Sequence, residues 1–471
     1  MLYPLSYGGQ QRPTSLSAKI SDMIEAMSIC PPWLTPKFDP LPLFPSTTEW
    51  SGDQLQIGGV GLADAVTDFG SPLYLLDEAD FRARASGFRN AFAPWPVYYA
   101  SKAFLSQAVA RWANECGLGI DVCSAGELAT ARRGGVPPAR LGVHGNNKSD
   151  AELTQAVDLG VAHIVVDADD EINRLAAICA GRDAVPVLVR VTPDVTAHTH
   201  AHVQTAVADQ KFGFAVDGAA LAAMLRLHAM KGVELRGVHC HIGSQILDTE
   251  GYELAIARLV DLLAQFRDIT GVSLPELGLG GGFGIAYNAT EVPAPPEAIA
   301  PVLHRAVEEA TMMHGLDPLA PFIEPGRAIV GPACVAVYTV GTVKPVILPD
   351  GVRTYVAVDG GMSDNPRPAL YQSEYSALLV SRRSSATPVL CRVVGKHCET
   401  GDVLVSHTYL PADLMAGDII AVPASGAYQR AMASNYNGSL RPPVVAACDG
   451  SSTVLLRRET IDDLFAIDVG R

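Results

Sequence analysis

Long apolar runs, paired cysteines and an excess of positive charge are all missing from this sequence. No uninterrupted apolar stretch is long enough to span a bilayer, so no membrane anchor is expected. The nine cysteines are scattered from Cys30 to Cys448 with no C-x-x-C pair. That excludes a disulfide framework and a structural zinc site as working ideas, and fits a reducing compartment. Acidic residues outnumber basic ones, 50 to 35, for a net charge of −15. An acidic balance argues against nucleic acid or an anionic membrane as partner. The first residues, M-L-Y-P-L-S-Y-G-G-Q-Q, lack a basic segment followed by an apolar core, so no signal peptide is expected. Together these absences predict a soluble, cytoplasmic protein. What is present is apolar mass: 48% hydrophobic against 18% charged over 471 residues, enough for two domains with substantial cores.

Residues 1–76 are rich in proline and serine at their start and read as an arm, with one short helix at 17–28, weak strand signals at 51–75 and partial packing on a later domain. From 97 onward, short β-branched runs alternate with stretches of helical spacing. Strands are predicted at 97–100, 119–122, 141–143, 163–166, 187–191, 235–240, 276–279 and 321–324. Helices are predicted between them, at 105–116, 127–133, 150–159, 172–180, 219–230, 252–266 and 298–314. Eight such units over residues 77–330 favour a parallel (β/α)₈ barrel of the TIM type, with an open doubly wound sheet as the alternative. Residues 331–471 change rhythm to strands joined by turns, predicting an all-β C-terminal domain of sandwich or Greek-key barrel form.

A barrel builds its site at the C-terminal ends of its strands, and there the sequence places Lys102, Asp121, His144, Arg190, His241, Ser244, Gly280, Gly281, Gly282, Glu324, Gly326 and Arg327. A lysine in a partly dry pocket is expected to have a lowered pKa and can form a Schiff base; the ordinary alternative is a solvated strand-end lysine. The glycine run G-L-G-G-G-F-G at 278–284 sits too late for a dinucleotide fingerprint and suits a phosphate held by backbone N–H groups, or else a plain turn. His241 can stack on a flat ring or be a structural histidine. Glu324 can meet a protonated ring nitrogen, or pair with Arg327 or Arg190. His198, His200 and His202 alternate like metal ligands, but no acid or cysteine completes the set; a loop over the site is preferred and no metal is expected. In the β domain, Cys398 beside Glu399 can act as an acid or be inert, and Arg367, Tyr371 and Tyr428 stand on loops.

These residues lie in motifs that resemble, from about 51 to 468, the diaminopimelate decarboxylases of the alanine racemase-like (fold-type III) pyridoxal-phosphate enzymes. The matches run in order: Y-A-S-K-A-F, D-V-C-S-A-G-E, H-G-N-N-K-S, D-Q-K-F-G, H-I-G-S-Q, G-G-G-F-G, E-P-G-R, V-D-G-G-M-S-D-N, G-K-H-C-E-T-G-D and S-G-A-Y. The resemblance implies a carboxy-lyase that converts meso-2,6-diaminopimelate to L-lysine and CO₂, closing lysine biosynthesis. It implies pyridoxal 5′-phosphate on Lys102, with His241 on its ring and Glu324 at its ring nitrogen. Ser244, Gly280, Gly281, Gly282 and Gly326-Arg327 would hold its phosphate, and Asp121, Glu127, Arg190 and Tyr428 would complete the surroundings. Arg327, Arg367, Tyr371, Glu399 and Tyr428 match substrate-binding positions, and Cys398 the acid that reprotonates carbon. Cys398 and Glu399 would serve a partner's barrel, hence a homodimer. The rival expectations are a decarboxylase of another amino acid, such as ornithine or arginine, and a non-catalytic homologue. Pro366 and Pro368, flanking Arg367, depart from the family wording and are expected to stiffen and shift it.

Overall fold

The chain, a computed structural model, is described at residue 31 and at residues 34–195, 211–349 and 351–470. His198, His200 and His202, and the short helix expected at 17–28, lie outside the described residues.

Eight parallel strands follow one another in sequence order around a barrel: Tyr98–Ala100, Gly119–Val122, Leu141–Val143, His163–Val166, Val185–Thr192, Val233–His239, Glu276–Gly278 and Ala320–Phe322. Each lies within two residues of its sequence-based position. Val97 bridges Ile323 in parallel, and Tyr98 N–H donates to the Ile323 carbonyl at 2.9 Å, so the first and eighth strands close the ring. This excludes the open sheet. The strands are almost wholly buried, as expected where helices cover one face and the barrel interior fills the other. Serines start the helices: Ser106, Ser124 and Ser149 each accept from the N–H three residues on, and Ser149 with Glu152 forms a reciprocal cap. Each such cap contributes on the order of 1 kcal/mol. It also fixes where a strand-end loop stops and a helix begins, and so where the mouth residues stand.

The second sheet orders its strands as Val403–Pro411, Pro388–Val394, Gly351–Val358, Cys334–Leu348, Leu73–Asp77, Val444–Cys448 and Ser451–Leu456, with Ile419–Val422 paired to the long central strand. The weak strand signals read at 51–75 correspond to Gln54–Ile57, Val60–Gly61 and Leu73–Asp77, the last of which does more than lead in. Leu73–Asp77 lies inside the sheet, antiparallel to Cys334–Leu348 and parallel to Val444–Cys448. All five of its residues are buried, so it has no polar alternation by which to be noticed. Phe44, Leu55 and Ile57 pack with Val335, Val337 and Val445 in the same apolar cluster. The helix Glu78–Ala91, capped by Asp77, is absent from the sequence-based helices; it precedes the first barrel strand and follows a strand of the other sheet. A single apolar core runs from the barrel helices into the β sheet, holding the β domain beside the barrel mouth.

Candidate active site

Lys102 stands one turn beyond the first barrel strand, on the short 3₁₀ segment Ser101–Ala103. Its side chain is solvent-accessible inside the mouth yet ringed by protein groups. Burial alone would depress its ammonium pKa, but Tyr428, Asp121 and Glu324 outweigh that and raise it. The expectation of a lowered pKa is therefore corrected for this chain: acids surround the amine and hold it charged. The buried lysine among the described residues is Lys148. Lys148 is depressed by burial, yet its Nζ is bound to Glu171 at 2.8 Å and to the carbonyls of Gly145 and Val165 at 2.6 and 2.7 Å. Those three partners use all three of its protons. Lys102 is the amine with reach.

Glu324, from the end of the eighth strand, does not pair with Arg327 or Arg190. His239 Nε2 lies 3.1 Å from both of its oxygens, and His144 Nε2 lies 3.2 Å from one. Asp121 stands 3.7 Å from the same His144 nitrogen. Burial would raise the Glu324 pKa, but the two imidazoles win and hold it well below the usual range. His144 is raised, because Asp121 and Glu324 overcome its desolvation; His239 is pushed by burial down to about 4 and so donates as a neutral ring. Burial also raises Asp121 to about 6. The result is a dry, fully ionised carboxylate at the centre of the mouth. These three side chains are metal-ligating types that lie close together, and the His239–Glu324 hydrogen bonds with the His144–Glu324 ion pair give the buried carboxylate its partners without a metal. His239 is the last residue of the sixth strand, two before His241, and the H-C-H spacing is the signal by which the sequence could have offered it.

The glycine loop is built for close backbone approach. A Cβ on Gly281 would lie 2.2 Å from the Glu324 carbonyl, and Gly282 has φ +113° with a Cβ position 2.5 Å from the Gly243 carbonyl. The carbonyls of Gly280, Gly281 and Gly282 accept from Glu324 N–H, Tyr252 Oη–H and Ile246 N–H. Their own N–H groups, and those of Gly326 and Arg327, donate to no other described residue. Donors without acceptors, gathered after the seventh and eighth strands, suit an anionic oxygen cluster. His241 is kept neutral by burial and by Lys102 and Arg190 nearby. Arg190 is buried, 4.0 Å from Asp167, and Glu127 accepts from Cys123 N–H at 2.7 Å, beside the end of the second strand. A reactive lysine, a phosphate-sized cradle, a neutral flat ring and an ionised carboxylate fit pyridoxal phosphate.

The β domain brings a second group. Arg367 is buried, and its Nη1 donates to the hydroxyls of Tyr287 at 2.7 Å and Tyr375 at 2.6 Å. Arg327 donates to Tyr287 and, at 2.9 Å, to Ser244, and lies 4.8 Å over the ring of Tyr428. Among the described residues neither arginine meets a carboxylate. Tyr428 itself takes φ +59°, rare for a bulky residue, with its N–H bonded to Ala103 beside Lys102. Pro366 and Pro368 stand at the start of the short helix Arg367–Tyr371, where a fixed φ is an advantage. Tyr287 and Tyr375 went unread in the sequence.

Three expected site residues are not brought to Lys102 within one chain. Tyr371 is 39% exposed, and Cys398 and Glu399 are exposed on the loop 395–402. That loop is pinned elsewhere: Asp402 accepts from Met362 and His397 N–H groups at 2.6 and 2.8 Å, and His397 Nε2 meets Ser363 Oγ at 2.8 Å.

Comparison with known proteins gives the same direction. Residues 78–331 match the family described as pyridoxal-dependent decarboxylase, pyridoxal binding domain. A diaminopimelate decarboxylase of Mycobacterium tuberculosis is 48% identical over 424 residues, covering 88% of this chain and 94% of that protein. One of Bacillus subtilis is 42% identical over 421 residues, covering 88% and 95%. Among solved structures, the diaminopimelate decarboxylase of M. jannaschii in co-complex with L-lysine superposes with a TM-score of 0.84 at 28% identity, over 91% of this chain and 98% of that one.

Proposed function

The chain belongs to the pyridoxal-dependent decarboxylases, and from that premise we propose that it converts meso-2,6-diaminopimelate to L-lysine and CO₂, the last step of lysine biosynthesis. The observation that carries the choice of substrate is the pair Arg327 and Arg367, buried, charged and without a protein carboxylate among the described residues. Two uncompensated guanidiniums in a dry mouth require an anion from the ligand. Diaminopimelate has a second carboxylate at its far end; ornithine, arginine and lysine do not.

In this reading Lys102 attaches the cofactor. Gly280, Gly281, Gly282, Ser244 and the Gly326-Arg327 backbone would hold the phosphate, His241 would face the ring, and Glu324 would serve the ring nitrogen. When bound, pyridoxal phosphate accepts the electron pair released as the bond from Cα to its carboxylate breaks. Glu324 keeps a proton on the ring nitrogen because its own charge is secured by His239 and His144. Asp121, Glu127 and Arg190 fix the surrounding charges, and Tyr428 closes the mouth over Lys102. Arg327 and Arg367 hold the distal carboxylate with paired hydrogen bonds, Glu399 the distal ammonium, and Tyr371 lines the entrance. Cys398 returns a proton to Cα. Because Cys398 and Glu399 are exposed in the single chain, the reading includes a homodimer in which they complete the other chain's mouth. The unpaired state of the eight described cysteines suits a reducing cytoplasm.

Release of CO₂ from meso-diaminopimelate, ornithine, arginine and lysine tests the substrate. A site with two arginines to satisfy should discriminate by on the order of 10⁴ in kcat/KM against substrates lacking the second carboxylate. Turnover of ornithine alone would overturn the reading. The shared site has its own test. Cys398→Ala and Lys102→Ala chains are each expected to be nearly inactive, and their mixture should recover up to about a quarter of wild-type activity, since a mixed dimer retains one intact site and about half of random dimers are mixed. A mixture that stays inactive, although mass spectrometry detects the mixed dimer, argues against a site shared between chains.

A further inference from the structure

Tyr287 is an unusual partner for two arginines. It follows the glycine loop on the barrel side, in G-G-F-G-I-A-Y, and is buried. Its phenol oxygen accepts from Arg327 Nη1 at 2.5 Å and from Arg367 Nη1 at 2.7 Å, so one neutral atom joins a barrel arginine to a β-domain arginine. The faces repeat the arrangement: the Arg367 guanidinium lies 4.9 Å from the Tyr287 ring centre and the Arg327 guanidinium 5.9 Å. Tyr375 crosses Tyr287 edge-on at 5.1 Å and takes a second bond from Arg367 at 2.6 Å. Two accepted bonds use the hydroxyl's acceptor capacity and leave its proton as a donor, with no acceptor among the described residues. Arg327 Nε is likewise buried without a partner. Had this position held a carboxylate, the pair would have been neutralised from within.

We propose that Tyr287 is a specificity-determining residue: it gathers Arg327 and Arg367 at one uncharged oxygen, so that only a carboxylate at the far end of a ligand can balance them. This rests on the reading that the mouth handles a substrate with two carboxylates, and it assigns the geometry of that recognition to the tyrosine. Its chemistry separates it from a merely structural ring. Removing the oxygen should loosen the arginines and leave the cofactor and Lys102 untouched; adding a charge should fill the demand internally.

The test uses the cofactor-loaded enzyme, with heptanedioate (a seven-carbon dicarboxylate) and hexanoate (a monocarboxylate) as competing probes. Tyr287→Phe retains the ring contacts and should raise KM for meso-diaminopimelate about tenfold, the equivalent of one charge-assisted hydrogen bond, with kcat changed by less than about twofold. Heptanedioate inhibition should weaken in parallel, while hexanoate inhibition and the absorbance of the covalently held cofactor stay as in the wild type. Tyr287→Glu should weaken both substrate and heptanedioate by about a hundredfold or more, because the added charge competes for both arginines. If Tyr287→Phe does not fold, Tyr287→Gln, which offers a neutral amide oxygen, carries the test: a heptanedioate preference near that of the wild type supports the proposal, and loss of the preference overturns it. A Tyr287→Phe enzyme with wild-type KM and inhibition also overturns it, as does equal weakening of both probes. Failure of the substrate reading looks different: the wild type would then release no CO₂ from meso-diaminopimelate whichever probe it prefers.

Discussion

Lys102→Ala is expected to abolish covalent attachment of the cofactor and lower turnover by on the order of 10⁴ or more, the upper range for loss of a positioned acid–base group with its covalent link removed besides. Borohydride followed by intact-protein mass spectrometry reads this directly: the wild type gains one pyridoxyl phosphate per chain and the variant gains none. The rival amine is Lys148, whose pKa is lowered by burial. On acidity alone Lys148 would be the better nucleophile, and Lys102, held charged by Tyr428, Asp121 and Glu324, the worse. Geometry decides against that. Lys148 spends its protons on Glu171 and two carbonyls and cannot leave them without stranding a buried carboxylate. A second substitution separates charge from chemistry. Lys102→Arg keeps a cation beside Asp121 but has no amine to react, so it should fold and bind phosphate as the wild type does while showing no adduct. An adduct persisting in Lys102→Ala, traced by peptide mapping to Lys148, would sink the assignment.

How far this site could be read in advance depended on what kind of signal each part left. The barrel was legible because a parallel strand buried on both faces reads as a short β-branched run, and eight of them recurred with helical stretches between. The same property hid Leu73–Asp77, a buried strand with no alternation that pairs with no barrel strand and belongs to a sheet assembled from the other end of the chain. Strand-end residues such as Lys102, His241 and Glu324 could be named because the fold says where active groups stand. Their partners could not. That His239 and His144 serve Glu324, and that Tyr287 joins Arg327 to Arg367, depends on which side chains meet across strands and domains, and spacing along the chain does not carry that information. Cys398 and Glu399 mark another limit: one chain alone leaves them exposed, so their use depends on what stands opposite them.

Glu324→Gln should leave Lys102 able to attach the cofactor but reduce turnover by on the order of 10²–10³, the usual consequence of removing one preorganised charge from a dry site. The amide has nearly the same shape and can still accept from one imidazole, so packing survives; what goes is the negative charge that favours a protonated ring nitrogen. Absorbance of the attached cofactor should shift with pH in the variant over a range where the wild type is constant, because the ring nitrogen then titrates without its counter-charge. Stability supplies an independent reading. The Glu324 pKa in the folded chain lies well below its ordinary value, since His239 and His144 outweigh the cost of burial. A depressed acid stabilises the fold at pH values above its unfolded pKa, about 4.3, and loses that contribution as pH falls through the lower folded value. The wild type should therefore melt above Glu324→Gln at neutral pH, and the gap should close on acidification. A gap that stays constant to low pH would mean the carboxylate gains nothing from its histidines. A Glu324→Gln enzyme with wild-type turnover would show that the ring nitrogen needs no anion from this residue, and the electron-sink role given to Glu324 would fall with it.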